Sequence, residues 1–263
     1  MLPKRNYQLS LHFISLGSGS NGNATLVRVA DTLLLIDAGF SAKALCERMQ
    51  SIGVSPDDLT AILISHEHSD HVKGVSVLAR KYHIPVWLTR GTYKRLKDRN
   101  LPSVEFIHPH GSFCLGEAKV SPFPIPHDAA EPCQFVIGDG NRRFAVATDM
   151  GFVTPHVREH LRNIDALLLE SNYDAEMLKN GSYPHALRGR IDGRYGHLSN
   201  QQAAEFAQSL EHSGLQRLYL GHLSENNNTP DSAYAAVADR LQRGGDDLRV
   251  LQRTRVGEWF EVA

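Results

Sequence analysis

The chain has 263 residues, with 28 Lys or Arg, 29 Asp or Glu and 14 His, so its formal net charge is −1. With 41% hydrophobic and 22% charged residues, its composition is typical of a soluble globular protein and excludes a disordered one. The near-neutral charge also excludes a strongly basic protein that coats nucleic acid, although local basic patches remain allowed. The surplus of histidine is the one unusual feature of the composition.

Two features of the chain predict a cytoplasmic protein without membrane contact. No apolar run approaches the roughly 18 residues of a membrane span, and the first segment, MLPKRNYQLSLHF, lacks the apolar stretch of a signal peptide. The three cysteines, Cys46, Cys114 and Cys133, are far apart and odd in number. Such cysteines suit a reducing compartment and argue against a disulfide framework.

In chain order, the first third of the sequence predicts short strands and helices. Strands are expected at residues 11–16, 24–29, 32–36, 61–64 and 86–88. The glycine-rich stretch GSGSNGN, residues 17–23, is expected to form a hairpin turn between the first two strands. Helices are expected from the capping residue Ser41 to about Gly53, and from about Lys73 to Tyr82.

The rest of the chain continues this mixture. Residues 104–147 are rich in strand-forming residues, and further strands are expected at residues 166–169, 218–220, 248–251 and 258–262. Helices are expected at residues 155–161, at 199–214 after the capping box of Ser199 and Gln202, and from Thr229 onwards. The mixture predicts layered sheets covered by helices, in a single domain of residues 1–263.

The most informative segment is ISHEHSDH, residues 64–71, which runs on from a predicted buried strand. Its histidines make a poor structural motif, because exposed histidines gain little by clustering and buried ones need partners. As metal ligands they make sense, since a tight turn lets His66 and His68 point one way and Asp70 and His71 the other. Neutral imidazole and carboxylate are ligands that zinc, manganese and iron accept. The segment therefore predicts a metal site, and the alternative is a solvated polar loop.

Four further polar residues follow apolar runs and could complete this site. They are Asp37, His127, Asp149 and His222. Each one alone would more often be a strand-end cap or a turn former. Together with the HxHxDH segment, they indicate ligands that converge at one edge of the sheets, where sites in layered α/β folds commonly lie.

This pattern of HxHxDH followed by single His, Asp and His residues resembles the metallo-β-lactamase superfamily over nearly the whole chain. The stretches LGSGSNGNATLV, LIDAGFS, SHEHSDHVKG, IPHDA, ATDMG, LLLESNYD, GHLSN and GHLSENNN are similar to those of the YycJ/WalJ-type proteins. Those proteins are bacterial, cytoplasmic and regarded as metal-dependent 5′-to-3′ DNA exonucleases. The resemblance implies an α/β (α+β) fold, specifically a four-layer αββα sandwich.

The resemblance also implies a cofactor of two divalent metal ions. The ligands would form two sets with one residue between them: His66, His68 and His127 for one metal, Asp70, His71 and His222 for the other, and Asp149 as the bridge. Asp37 would orient the HxHxDH loop from behind. Two such metals can hold a bridging hydroxide, which suits attack on a phosphodiester and equally on an ester, thioester or lactam. The identity of the metal (Zn, Mn or Fe) stays open.

Two further residues favour phosphodiester cleavage among these hydrolytic reactions. Glu170 ends the strand predicted at residues 166–169, and His197 precedes the helix predicted at residues 199–214. In order and spacing they resemble the Glu and His that flank the metals in tRNase Z and related phosphodiesterases. There the His contacts the substrate phosphate or protonates the leaving oxygen, and the Glu holds it. The resemblance implies a catalytic set of Asp70, His197, Glu170 and Asp37, and the alternative is a helix-entry His beside a strand-end Glu.

Candidate substrate contacts come from three places. Arg188, Arg190 and Arg194 belong to a basic segment with two interspersed tyrosines, which could bind a phosphate backbone and stack a base. Ser20 and Asn21 of the glycine-rich turn, and Asn226 after His222, could line the mouth of the site. A phosphate-binding P-loop is not expected, because GSGSNGN lacks a GK[ST] ending. A second basic run at residues 80–99 is a weaker candidate, since charge runs are usually solvated faces.

These observations predict a dinuclear metal-dependent phosphodiesterase that acts as a DNA nuclease. A small-molecule hydrolase (a cyclic phosphodiesterase or a glyoxalase-II-like thioesterase) and a tRNase Z-like RNase are the alternatives, because the motifs address the phosphate and not a 2′-hydroxyl. A true β-lactamase is disfavoured because Asp149 stands where a cysteine would be expected. A metal-binding protein without turnover would be expected to lack ligands, and every expected ligand is present. Nucleic acid is the expected partner, and the oligomeric state is open.

Overall fold

The strands of the protein form two sheets. The structure is a computed structural model that describes residues 10–210 and 214–263. Within those residues each sheet has seven strands. The chain first forms β1 (Leu11–Gly17), β2 (Ala24–Val29), β3 (Thr32–Ile36), β4 (Ala61–Leu63), β5 (Val86–Leu88) and β6 (Val104–Phe106) of the first sheet. The second sheet follows as β7 (Phe113–Leu115), β8 (Ala118–Pro124), β9 (Cys133–Gly138), β10 (Arg143–Ala147), β11 (Ala166–Glu170), β12 (Arg217–Gly221) and β13 (Leu248–Val250), and β14 (Phe260–Val262) returns to the first sheet.

Both sheets change from antiparallel to parallel pairing. The spatial order is β14-β1-β2-β3-β4-β5-β6 in the first sheet and β13-β12-β11-β10-β9-β8-β7 in the second. Strands β3 to β6 pair in parallel, as do β10 to β13. The apolar run of β3, TLLLI, is buried at every position, which is expected where a parallel strand is covered on both faces. The carboxyl ends of these parallel strands therefore lie at one edge of each sheet.

Helices cover the outer face of each sheet. The described helices are α1 (Ala42–Gln50), α2 (Ser69–Val72), α3 (Val75–Tyr82), α4 (Arg90–Arg95), α5 (Pro155–His160), α6 (Ala175–Asn180), α7 (His185–Ile191), α8 (Asn200–Leu210) and α9 (Pro230–Leu241). Leu45 of α1 and Leu78 of α3 belong to the apolar cluster of the first sheet. Phe206 of α8 and Val237 of α9 belong to that of the second.

A third apolar cluster fills the space between the two sheets. Phe13 of β1 stacks on Phe144 of β10, with ring centroids 3.9 Å apart and an interplanar angle of 12°. Both rings are buried, together with side chains from the inner faces of both sheets. Helix, sheet, sheet and helix thus follow one another as four layers, and the predicted αββα sandwich is confirmed.

The predicted strands agree closely with the structure, whereas four short helices were not predicted. These are α2, α4, α6 and α7, of four to seven residues. Such helices are too short for apolar periodicity, and α4 and α6 begin instead at side-chain caps from Thr89 and Asp174. The helix predicted to start near Lys73 begins at Val75 after Gly74. The end of the helix predicted at residues 199–214 lies partly outside the described residues, since the structure places α8 at Asn200–Leu210.

None of the helices described within residues 10–210 and 214–263 is both long and apolar enough to cross a membrane.

Candidate metal centre and active site

Three polar residues leave their strands with an unusual backbone conformation. Asp37 after β3, Asp149 after β10 and His222 after β12 have positive φ angles of 60°, 63° and 57°. This left-handed region is uncommon for residues other than glycine, although Asp and His tolerate it better than most. It costs on the order of 1–3 kcal/mol per residue and persists where the surrounding contacts enforce it. All three are residues that the sequence marked as site residues.

The predicted ligands come together at the carboxyl ends of the parallel strands. The potential ligand atoms of His66, His68 and His127 lie within 4.8 Å of one another, and so do those of Asp70, His71 and His222. The HxHxDH segment supplies four of these six residues. It follows β4 of the first sheet, while His127 and His222 follow β8 and β12 of the second. The site is therefore built across the junction of the two sheets.

Asp149 lies between the two groups. Its Oδ2 is 3.4 Å from Nε2 of His71, and its Oδ1 is 3.3 Å from Nε2 of His222. The same Oδ1 is 3.8 Å from Nε2 of His127 in the other group. Since the residue is only 1% exposed, solvent cannot satisfy its charge. Its position is that of a carboxylate shared by both groups.

Four of the clustered imidazoles are held from behind through Nδ1. The partners of Nδ1 are Ser65 Oγ for His66 at 3.0 Å, Asp37 Oδ2 for His71 at 2.7 Å, the Gly196 carbonyl for His127 at 3.3 Å and Glu170 Oε1 for His222 at 2.9 Å. An outward partner on one ring nitrogen fixes the tautomer and leaves the other nitrogen free to face inward. His68 differs, because its Nδ1 faces the cluster and is 3.1 Å from Nε2 of His127.

Asp37 holds the HxHxDH loop in place. Its carboxylate accepts hydrogen bonds from the Ser65 backbone N–H at 2.8 Å and from the Ser65 hydroxyl at 2.8 and 3.0 Å, besides that from His71. It is 3% exposed and is not part of either ligand group. Asp37 therefore lies behind the loop, and its orienting role stays a prediction.

Glu170 connects the cluster to His197. One carboxylate oxygen, Oε1, accepts from Nδ1 of His197 at 2.7 Å and from Nδ1 of His222 at 2.9 Å. The other oxygen accepts from the backbone N–H groups of Met150 and Leu198. The Glu170 side chain is fully buried, whereas that of His197 is 21% exposed. One carboxylate therefore orients both a clustered histidine and a histidine that reaches the solvent.

Burial and charge shift the pKa values of the clustered groups in opposite directions. Burial, followed by repulsion from His71, holds the pKa of His66 well below its usual value, and burial likewise lowers the pKa of His127. In His222 the effect of burial is outweighed by Asp149, Asp70 and Glu170, and the pKa rises to about 10. Burial alone would raise the pKa of Glu170, but His197 and His222 lower it to about 2. Glu170 is thus a carboxylate that only accepts hydrogen bonds.

The residues present fit a divalent metal. Nε2 of His66 and Oδ2 of Asp149 are buried and have no hydrogen-bond partner among the described residues. Buried polar atoms rarely lack a partner, and two such acceptors beside the cluster are suited to hold a cation. Imidazole nitrogens and carboxylate oxygens together form a donor set that zinc, manganese and iron accept.

A cavity of about 280 Å³ opens onto this cluster. The residues that line it include Asp70, Asp149, His197 and His222. Arg190 also lines it, with its Nε 2.5 Å from Oδ2 of Asp128. The cavity therefore brings the shared carboxylate, the exposed histidine and a guanidinium into one space.

Comparison with known proteins gives a consistent result. Residues 32–223 match the family model described as the beta-lactamase superfamily domain. Over 258 residues the chain is 36% identical to the exodeoxyribonuclease YycJ of Bacillus anthracis, covering 97% of this chain and 95% of that protein. It is 34% identical to the exodeoxyribonuclease WalJ of Streptococcus pneumoniae serotype 2 (strain D39), over 92% of this chain and 94% of that protein. The chain belongs to the YycJ/WalJ family of the metallo-β-lactamase superfamily.

A solved structure supports the fold of this YycJ/WalJ family member. The metallo-β-lactamase fold protein YhfI from Bacillus subtilis matches with a TM-score of 0.74, over 97% of this chain and 100% of that protein. Its sequence identity of 15% means that this match addresses the fold alone.

The predicted substrate contacts of this family member are dispersed. Ser20 and Arg190 line the cavity, whereas Asn21, Arg188, Arg194 and Asn226 are not among its lining residues. The side chain of Asn21 donates to Glu225, that of Asn226 donates to the Tyr183 hydroxyl, and Arg194 lies over the Phe152 ring. Arg188 donates to the Lys179 carbonyl and lines a separate cavity.

Several residues that shape the site were missed at the sequence level. Asn23 accepts from Gly19 N–H and donates to the Asp70 carbonyl through its backbone, while Ser18 accepts from the His222 backbone N–H. The glycine-rich turn, predicted correctly as a hairpin connection, thus contacts two residues of the group formed by Asp70, His71 and His222. Asn172 donates to the His222 carbonyl at 2.7 Å. No spacing rule singles out these residues, but the position of Asn172 directly after Glu170-Ser171 was a usable signal.

Proposed function

We propose that this protein is a cytoplasmic, metal-dependent DNA exonuclease. The observation that carries the proposal is that one cavity opens onto the clustered ligands and onto His197, which the buried Glu170 holds, in a chain 36% identical to a protein named exodeoxyribonuclease YycJ. The ligand set supports a hydrolase, the Glu–His pair supports phosphodiester cleavage, and the relatives support DNA. The three unpaired cysteines agree with a reducing compartment.

The metals would be held by the two groups around Asp149. His66, His68 and His127 would hold one ion, Asp70, His71 and His222 the other, and Asp149 would contact both. When bound, such a pair lowers the pKa of bound water and offsets charge on phosphoryl oxygens. Zinc, manganese and iron all suit these donors. The protein contributes the fixed orientation of each ligand, through Asp37, Ser65, Gly196 and Glu170.

His197 is proposed to deliver the proton that the leaving oxygen needs. Because Glu170 is a carboxylate, Nδ1 of His197 must carry hydrogen to make the 2.7 Å contact, so that Nε2 is left for the substrate. The ring lies beside those of His127 and His222, at centroid distances of 5.3 and 5.2 Å. A phosphodiester in the cavity would therefore lie within reach of both the ligand cluster and His197.

Arg190 and Ser20 are proposed to hold the substrate in the cavity. Arg190 is the lining residue with a guanidinium, and its partner Asp128 keeps it directed to the rim. A guanidinium binds phosphate through paired hydrogen bonds and retains its charge at any physiological pH. Ser20 of the glycine-rich turn adds a hydroxyl to the lining of the cavity.

A substrate panel tests the proposal. The protein is reconstituted with zinc, manganese or iron and assayed on 5′-phosphorylated DNA, matched RNA, bis(p-nitrophenyl) phosphate and a thioester. We expect mononucleotides to be released from the 5′ end of DNA, faster than from RNA, as followed by mass spectrometry. Turnover of only the thioester or of a small phosphodiester would refute the nuclease and favour the small-molecule hydrolase. Preferential cleavage of RNA would identify a tRNase Z-like RNase.

A further inference from the structure

A second, larger concavity adjoins the catalytic cavity. This space, which we name the outer cleft, has a volume of about 870 Å³ and lies between the start of α3, the C-terminal end of α4 and residues 128–130. His68, Ser69 and Asp128 line both the outer cleft and the catalytic cavity. A chain-like substrate bound at the ligand cluster could therefore continue into the outer cleft without leaving the surface.

The outer cleft carries an excess of unpaired positive charge. Lys73, Arg95 and Lys97 line it, are exposed, and form no ion pair within residues 10–210 and 214–263. Such unpaired cations retain their full attraction for phosphate groups. Arg95 and Lys97 belong to the basic run of residues 80–99, which the sequence alone left as a weak candidate.

The acidic groups of the outer cleft are already engaged. Asp98 accepts from Arg80 at 2.7 Å, and Asp128 accepts from Arg190 at 2.5 Å. Glu67 accepts from the Ala130 backbone N–H at 2.8 Å, which leaves its charge without a cationic partner. The balance is therefore three free cations against one unpaired carboxylate.

The floor of the outer cleft is apolar. Val72, Val77 and Leu96 line it, and Val77 is 52% exposed. Val77 and the half-buried Val72 therefore offer apolar surface beside the cations of the outer cleft. Apolar side chains flanked by cations match a single nucleic acid strand, in which apolar base faces alternate with charged phosphates.

We infer that the outer cleft binds the part of a single nucleic acid strand that adjoins the scissile phosphate. The inference rests on the proposed function and extends it from the reacting phosphate to neighbouring nucleotides. The strand would cross the shared wall of His68, Ser69 and Asp128, place its phosphates against Lys73, Arg95 and Lys97, and lay base faces on Val72 and Val77. Long strands are therefore bound more tightly than short ones.

A triple variant with a matched control tests the inference. The cleft variant is Lys73→Ala, Arg95→Ala and Lys97→Ala. The control variant is Lys94→Ala, Arg99→Ala and Lys119→Ala, which removes the same charge from exposed residues that do not line the outer cleft. Binding of a labelled 12-nucleotide single strand with phosphorothioate linkages, which slow cleavage, is measured by fluorescence anisotropy on the metal-loaded protein. Turnover is measured on a 12-nucleotide strand, on a dinucleotide and on bis(p-nitrophenyl) phosphate.

We expect the cleft variant to bind the 12-nucleotide strand at least about 10-fold more weakly than the control variant. The slope of log Kd against log salt should fall by about 2, since each lost contact to a single strand removes about 0.7. Turnover of the dinucleotide and of bis(p-nitrophenyl) phosphate should stay within about twofold of the control, because these substrates do not reach the outer cleft.

Equal binding of the long strand by the two variants would overturn the inference, whether or not the protein cleaves DNA. An absence of oligonucleotide binding by the unmodified protein would overturn it as well. The proposed function fails separately, if the unmodified protein binds the strand through the outer cleft but releases no nucleotides with any metal. The inference would also be contradicted if a duplex bound more tightly than the single strand and if its affinity fell equally in the cleft variant and the control variant.

Discussion

The two sheets contribute to the metal cluster in different ways. The first sheet supplies His66, His68, Asp70 and His71 from one short segment, and Asp37 holds that segment by hydrogen bonds to Ser65 and His71. The second sheet supplies His127, Asp149 and His222 from separate strand ends. Its orienting residue, Glu170, holds His222 and His197 with the same oxygen.

Because of this difference, substitutions of Asp37 and of Glu170 should have different effects on metal binding and on the proposed proton delivery by His197. Replacing Asp37 should affect metal binding alone, because within residues 10–210 and 214–263 its carboxylate accepts hydrogen bonds only from Ser65 and His71. A defect at Glu170 should act on the metal and on His197 together. In the second-sheet half of the site, Glu170 thus holds both the clustered His222 and the proposed general acid His197.

The largest effect is expected from the loss of a first-sheet ligand. His71→Ala should lower kcat/KM on DNA by about 10³-fold or more and reduce the bound metal, because it removes both a donor atom and the partner of Asp37. Metal content is measured by mass spectrometry of the purified protein. His108→Ala, at an exposed histidine outside the cluster, is the control.

Because His71 is buried, its replacement could also unfold the chain, and Asp70→Asn provides a second variant of nearly unchanged volume. Circular dichroism then establishes that the variants are folded. Full turnover by a folded variant with either substitution would contradict the assigned ligand set.

The next largest effect is expected at His197, in the second-sheet half. His197→Ala should slow DNA cleavage by about 10²- to 10⁴-fold, the range typical of a general acid, while metal content stays unchanged. Bis(p-nitrophenyl) phosphate should be affected far less, because its leaving group departs without a proton. His185→Ala, at an exposed histidine of α7, is the matched control. An equal loss on both substrates would assign His197 to binding or folding and not to proton delivery.

A smaller effect distinguishes the two orienting carboxylates directly. Asp37→Asn and Glu170→Gln should each weaken metal binding by about 10- to 100-fold, as is typical for residues that hold a ligand from behind. Titration of activity with added metal should then restore kcat in Asp37→Asn. It should not do so in Glu170→Gln, since His197 has lost its carboxylate partner. Full recovery of both variants would remove the proposed link between Glu170 and catalysis.

The difference between the two sheets also explains which site residues could be predicted from the sequence. The first-sheet ligands were predictable because they are nearly contiguous, and Asp149 and His222 because each follows an apolar strand. Asn23 was not predictable, since it contacts the cluster through a hydrogen bond to the backbone of Asp70, which is distant in sequence. Asn172 donates to the equally distant His222 carbonyl, and its one signal was its position directly after Glu170-Ser171. Side-chain amides in loops carry no periodic signal.

Secondary structure, too, could be predicted only where the sequence carries a pattern. The strands, with their apolar alternation or runs, were placed within a few residues, whereas α7, with no buried residue and no side-chain cap, left no pattern to detect. The outer cleft could not be predicted either, because its lining residues come from three separate segments. Which cations share a surface is decided by tertiary packing and not by their spacing in the chain.

The smallest expected effect tests the second-sheet side of the cavity rim, where Arg188 and Arg190 lie on the same helix but line different cavities. Arg190→Ala should raise KM for DNA by about fivefold, because one exposed charged contact to phosphate contributes about 1 kcal/mol. Arg188→Ala should leave KM within about twofold, since its guanidinium donates to the Lys179 carbonyl outside the catalytic cavity. Both variants remove one positive charge from α7. An equal rise in KM would therefore mean that the total charge of the helix, and not the position of one arginine, attracts the DNA. A rise only in Arg190→Ala would mean that position within the cavity, and not charge along the helix, determines how the substrate is held.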